Sequence, residues 1–139
     1  MKQENFSLLT INSNASSLCS MFNETWIEVT KSEIENSNGN KNKSDPICKT
    51  SSCLYVAYQD SSVLYVGETS KSIRRRFIGD GSGCHREANA HWYKLMTKVK
   101  FTSFSNTDFP MPYRKFLEQA LVIQLRPLHY SRKLQEVHQ

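Results

Sequence analysis

Apolar positions along this chain come in short runs, and two neighbouring runs have the character of paired strands. Cys53-Leu54-Tyr55-Val56-Ala57-Tyr58 and Val63-Leu64-Tyr65-Val66-Gly67 are rich in aromatic and β-branched residues, with the turn-like Gln59-Asp60-Ser61-Ser62 between them. Two such runs on either side of a short polar turn predict a β-hairpin. The period then changes. Thr69 or Ser70 can cap a helix whose apolar positions Ile73 and Phe77 are four apart, and Gly79-Asp80-Gly81-Ser82-Gly83 breaks the chain after it. Ala88 to Thr97 reads as helical with Trp92, Leu95 and Met96 on one side, and Val99 to Phe104 alternates as a third strand. Pro112 suits the first turn of a last helix, where a missing N–H costs nothing. That helix carries an apolar stripe of Tyr113, Phe116, Leu117, Ala120, Leu121 and Gln124, and Arg126-Pro127 ends it. The order β-β-α-α-β-α predicts an α+β domain over about 51–132: a small three-stranded antiparallel sheet flanked by helices.

Residues 1–50 follow no such order and read as an N-terminal extension, and residues 133–139 as a tail. From Glu35 to Asp45 the sequence is ENSNGNKNKSD, a composition that cannot bury apolar surface and predicts a mobile polar loop at about 35–45. Before it, Thr25-Trp26-Ile27-Glu28-Val29-Thr30 alternates like a strand, and Ala15 to Phe22 fits a short helix. Trp26, Ile27 and Val29 are the residues expected to pack this extension onto the main domain.

Composition narrows the class of protein. At 139 residues the chain suits one domain with a modest core. Mean hydropathy is −0.56, and no apolar run approaches the ~20 residues of a membrane span. Met1-Lys2-Gln3-Glu4-Asn5 lacks a basic end followed by an apolar stretch, so the expectation is a cytoplasmic protein without a secretion signal. The four cysteines include no CxxC, and their spacing fits free thiols in a reducing compartment better than zinc or disulfides. Net charge is +5, and Lys71, Arg74, Arg75 and Arg76 fall close together, followed by Lys94, Lys98 and Lys100. A basic face of this kind favours a polyanion, above all nucleic acid, although ordinary surface lysine and arginine give the same count.

Cleaving a phosphodiester needs an activated water, charge stabilisation at the phosphate and help for the leaving oxygen. Tyr55 and Tyr65 on neighbouring strands, Arg76 on the next helix and Glu118 on the last are candidates for these tasks. Leu54-Tyr55-Val56 followed by Leu64-Tyr65-Val66-Gly67 resembles the paired tripeptides that name the GIY-YIG nucleases. The similarity continues through Gly67-Glu68-Thr69-Ser70-Lys71-Ser72-Ile73-Arg74-Arg75-Arg76-Phe77, where an apolar residue stands three before the arginine, and through Phe116-Leu117-Glu118-Gln119-Ala120-Leu121-Val122-Ile123 with Arg126-Pro127 beyond. It spans about Cys53 to Tyr130. Spacing from Ile73 selects Arg76 as the catalytic arginine, and spacing from Gly67 without an extra residue selects Arg75.

The resemblance implies a one-metal hydrolysis of DNA; double-stranded DNA is the expected partner of this chain, and a homodimer is an assembly the reading allows. Tyr55 would orient the attacking water or take its proton, Arg76 would bind the scissile phosphate, Tyr65 would assist beside it, and Glu118 would hold Mg²⁺ or Mn²⁺. A phenol with an ordinary pKa of about 10 is a poor base, so the basic neighbours Lys71, Arg75 and Arg76 are expected to favour the phenolate. Lys71, Arg74, Arg75, His85, Lys94, His129 and Tyr130 are the residues expected to meet the nucleic acid. Two positions depart from the family pattern. Cys53 replaces its first glycine, and its asparagine after the proline falls near Tyr130, where His129 or Tyr130 would stand in. His85 would contact a phosphate or accept a proton next to Tyr55, solvent exposure being the commoner state of such a histidine.

Each residue also has an ordinary explanation. The tyrosines suit any strand, Arg74 to Arg76 suit a solvated helix face, and Glu118 stands four residues after Arg114 as in a surface ion pair. A DNA-binding protein that keeps the scaffold without cutting is the alternative function. The reading also carries a geometrical condition. Both tyrosines must point from one face of the sheet, which requires either an odd loop pairing Tyr55 with Tyr65 or, if Tyr58 pairs with Val63, a bulge.

Overall fold

The computed structural model describes residues 26–39, 41, 44–79, 83–88, 90–104 and 111–129. The expected helix at Ala15 to Phe22 and the tail at 133–139 lie outside them. Alternating Ile27 and Val29 build strand β1 (Ile27–Thr30), which leads directly into a single helical turn, α1 (Lys31–Glu35). Thr30 makes that change of direction possible. Its hydroxyl accepts from the Glu33 N–H at 3.1 Å while the Glu33 carboxylate accepts from the Thr30 N–H at 3.3 Å, a capping box.

The hairpin follows as β2 (Ser52–Gln59) and β3 (Ser62–Thr69), closed by Asp60 and Ser61, with Asp60 in the left-handed region at φ 54°. Aspartate tolerates that conformation better than most residues. Helix α2 (Ile73–Ile78) is capped by Ser72, whose hydroxyl accepts from the Arg75 N–H at 3.1 Å; the cap is therefore two or three residues later than Thr69 or Ser70. Helix α3 is limited to His91–Leu95, shorter than the expected 88–97, because residues 83–88 fold back on α2 instead. Strand β4 (Lys98–Phe104) and helix α4 (Met111–Leu125) complete the order.

The sheet has four strands, not three, in the order β1-β4-β2-β3 and antiparallel throughout. The additional strand is β1: Ile27 pairs with Phe101 and Val29 with Val99, so the extension joins the domain by hydrogen bonding as well as by packing. Within the remainder the order β-β-α-α-β-α holds. Tyr55, Ala57, Tyr65, Val99 and Phe101 from one face of the sheet form a core with Ile34, Ile73, Phe77, Trp92 and Met96, so α1, α2 and α3 lie on that side. Leu54, Val56 and Val66 on the other face pack against Leu117, Leu121 and Val122 of α4.

The buried side of α4 differs from the expected stripe. Tyr113, Phe116 and Gln124 face solvent, whereas Arg114 and Glu118 are buried beside Leu117 and Leu121. A helix turns 100° per residue, and the strip that includes 114, 117, 118 and 121 is as continuous as one through 113, 116 and 120. Hydrophobicity chose the second, and a polar partner on the sheet decided for the first. No helix among the described residues is long and apolar enough to cross a membrane.

Candidate active site

The two tyrosines share a face because of a β-bulge. Tyr58 pairs with Val63, but the register shifts between Ala57 and Tyr58, so that Ala57 pairs with Tyr65 and Tyr55 with Gly67. Without the shift Tyr65 would oppose Val56 and point toward α4; the extra residue, Leu64, turns it back to the Tyr55 side. The phenol rings then lie diagonally across the strands, with centroids 6.2 Å apart. Their partners within the hairpin, Gly67 and Ala57, are small. A Cβ built at Gly67 would overlap the Tyr55 hydroxyl and ring, so the Tyr55 phenol occupies the space that any other residue at 67 would fill.

Helix α2 brings Arg76 to this face. Ile73 and Phe77 bury one side of the helix, which directs Arg76 toward the hairpin and leaves Arg75 in solvent. The Arg76 guanidinium lies near enough to both phenols to act on them electrostatically, and its Nη1 donates to the Gly83 carbonyl at 2.6 Å. The chain beyond the glycine-rich break then returns to the end of α2. His85 N–H donates to the Arg76 carbonyl and Arg86 N–H to the Phe77 carbonyl, each at 2.9 Å, while the Arg86 guanidinium takes the Ile78 carbonyl at 3.1 Å. These bonds satisfy carbonyls that a helix end leaves unpaired, and they fix His85 inside the domain.

His85 is accordingly 5 % exposed, a buried histidine rather than a solvated one. Its ring packs edge-on to Trp92 with centroids 4.5 Å apart, and Trp92 stacks flat on Tyr65, also at 4.5 Å and 8° from parallel. Phe77 closes the box at 5.0 Å from both Tyr55 and His85. In the middle, the Tyr55 hydroxyl and His85 Nε2 are 2.6 Å apart.

Burial sets the charge state of that pair. Burial, reinforced by the positive charge of Arg76, holds the His85 pKa well below the usual histidine range, so the ring is neutral at pH 7. A neutral imidazole carries one N–H, so the Tyr55 hydroxyl donates to Nε2 in the Nδ1–H tautomer and accepts from it in the other. Burial raises the Tyr55 pKa well above that of a free phenol, the neighbouring Tyr65 adds to the rise, and Arg76 opposes it without prevailing. Tyr65 is raised as well, again chiefly by burial. The expectation that basic neighbours favour the phenolate is thus reversed: desolvation outweighs the Arg76 charge.

Glu118 lies on α4, across the sheet, yet its carboxylate acts electrostatically on both Tyr55 and Tyr65. Strand β3 is an edge of the sheet. Glu118 Oε2 is 3.9 Å from Lys115 Nζ, and its side chain is 10 % exposed. The Arg114 ion pair is made with Glu68 instead, Nε to Oε2 at 2.7 Å, and Arg114 Nη1 donates to Ser52 Oγ at 2.9 Å. Lys115 Nζ holds the other Glu68 oxygen at 2.7 Å. Burial pushes the Glu68 pKa up, but the hydrogen bonds from Lys115 and Arg114 more than offset it and the carboxyl is held below its ordinary range.

Among the described residues no three His, Cys, Asp or Glu side chains gather as a complete metal cage. A single carboxylate nevertheless fits a hard cation such as Mg²⁺, which keeps most of its waters and takes one or two protein oxygens. Of the residues expected to meet nucleic acid, Lys71, Arg75 and Lys94 are exposed. Arg74 is half-buried, with Nε on the Ser37 carbonyl at 3.2 Å. His129 is half-buried with its N–H on the Leu64 carbonyl at 2.8 Å, and Tyr130 lies outside the described residues.

Sequence reasoning missed Glu68, Arg114, Lys115 and Trp92 as members of this group. Arg114 carried a usable signal: with Leu117, Glu118 and Leu121 it forms one helical strip at spacings of three and four, a charged pair within an apolar face. No protein-family model, curated protein or solved structure matches this chain.

Proposed function

We propose that this protein is a divalent-metal-dependent endonuclease that hydrolyses phosphodiester bonds in DNA, with a site of the GIY-YIG type. One observation carries the reading: the Tyr55 hydroxyl meets a neutral histidine at 2.6 Å, with the Arg76 guanidinium, a second tyrosine and the Glu118 carboxylate close enough to act on it. The half-buried Arg76 guanidinium beside two phenols has donors in a fork that matches phosphate oxygens. Lys71, Arg75 and Lys94 supply exposed positive charge on the α2 and α3 side of the sheet, which suits a DNA backbone.

In this mechanism Tyr55 does not act as a preformed phenolate. Its oxygen accepts a proton from the attacking water as its own hydrogen passes to His85 Nε2, so the neutral imidazole is the final acceptor and no buried phenolate accumulates. Arg76 binds the scissile phosphate and stabilises the charge that develops on it. Tyr65, fixed by its stack on Trp92, donates toward the same phosphate. Glu118 is the residue that would hold the divalent cation, which when bound supplies charge neutralisation at the leaving oxygen.

The complete burial of Tyr55 favours a second reading, in which the aromatic box is structural and the basic surface binds DNA without cutting it. Supercoiled plasmid separates the two. With Mg²⁺ the protein is expected to nick or linearise it, and Tyr55→Phe, His85→Gln, Arg76→Ala and Glu118→Gln are each expected to lower the rate by about 100-fold or more. Salt-sensitive binding with no cleavage in any preparation selects the second reading.

A further inference from the structure

Lys115 is unusual among the charged residues around the site. It is half-exposed, with a side chain 49 % accessible, yet its ammonium bridges two carboxylates that are almost inaccessible: Glu68 Oε1 at 2.7 Å and Glu118 Oε2 at 3.9 Å. Glu68 is also held by Arg114, at 2.7 Å through its other oxygen, and Arg114 is anchored on β2 through Ser52 Oγ at 2.9 Å. Removing Lys115 from Glu68 therefore leaves no uncompensated buried charge, because Arg114 remains. Lys115 belongs to neither core cluster, so the packing of α4 does not depend on it. Its position three residues before Glu118 brings its ammonium beside the outer oxygen of that carboxylate.

We infer that Lys115 is a built-in competitor for the cation at Glu118: its ammonium neutralises the carboxylate in the metal-free protein and must leave it for a divalent ion to bind. The inference rests on the reading of Glu118 as the metal-holding residue. Lys115 is thus a positioning residue that sets how much cation the site requires, with Glu68 as the fixed post on which it turns.

Mn²⁺ titration of the full-length protein without DNA, followed by the electron paramagnetic resonance of the free ion, tests this directly. Lys115→Met is expected to bind Mn²⁺ roughly tenfold more tightly than the parent, the scale of one partly buried charge pair. Lys115→Arg keeps the charge and is expected to restore the parental affinity. Glu118→Gln is expected to abolish binding in the parent and in Lys115→Met alike, and thermal unfolding establishes that each variant is folded. Unchanged or weaker Mn²⁺ affinity in Lys115→Met, with Glu118→Gln still abolishing binding, overturns the competitor role and leaves the metal assignment intact. Mn²⁺ binding that is indifferent to Glu118→Gln overturns the metal assignment, and the competitor role with it.

Discussion

Tyr55 and Gly67 face each other across β2 and β3, and each explains the other. A buried phenol needs a partner for its hydroxyl and room for its ring; His85 provides the first and the missing side chain at 67 the second. Gly67→Ala would force the ring out of its place, and the expected cost is about 1–3 kcal/mol, read as a lower urea midpoint. His85 makes a second demand at this scale. Its pKa is depressed in the folded protein, so below about pH 6.5 the unfolded chain takes up a proton that the folded imidazole refuses. The contribution of His85 is complete above that pH and is lost as pH falls toward the depressed folded value. Urea midpoints measured between pH 7.5 and 5 are expected to decline, and His85→Gln is expected to flatten the decline. An equal slope in both proteins would show that the imidazole is not the titrating group.

At the scale of elements, the bulge at Leu64 and the buried strip of α4 do most to assemble the site. The bulge puts Tyr65 on the Tyr55 face, and the Arg114–Glu68 pair fixes the rotation of α4 against β3, which carries Glu118 inward with it. Apolar burial alone would have served Tyr113 and Phe116 as well. Glu68→Gln removes the carboxylate charge that the buried Arg114 holds at 2.7 Å, and a loss of the order of 3 kcal/mol is expected, measured by thermal or urea unfolding. Because the Glu68 pKa is lowered on folding, the stability it confers is present above the ordinary carboxylate range and disappears as pH falls through the folded value. Glu68→Gln is expected to be less sensitive to acid than its parent in that range. The charged pair was legible only in part: Arg114 and Glu118 are visible as an i, i+4 pair, whereas the partner each takes lies on other turns and strands.

For the molecule as a whole, the functional prediction concerns its surface. If DNA lies against the α2 and α3 side, Lys71→Ala, Arg75→Ala and Lys94→Ala are each expected to weaken binding to any sequence and to reduce the slope of log affinity against log salt by about 0.9. Measurement by fluorescence anisotropy over a salt series checks it; unchanged slopes would place the nucleic acid elsewhere or nowhere on this protein. Arg74 is expected to contribute less, since its guanidinium is already engaged by Ser37.

The hairpin, the later helices and the α+β class were legible in the chain itself, because period-two and period-3.6 patterns follow from backbone geometry and each is local. So were the tyrosines, Arg76 and Glu118 as candidates, through the order in which they occur. The fourth strand was visible as an alternating segment, but not as a partner of β4, since pairing across some seventy residues leaves no local trace. Neither the protonation of the site nor the state of His85 could be read in advance. Sequence reports which charges are near along the chain and says nothing of how much water is left around them. Here tertiary packing removed that water, and desolvation reversed the expected tuning of Tyr55 and turned a histidine beyond a glycine-rich break into its buried partner.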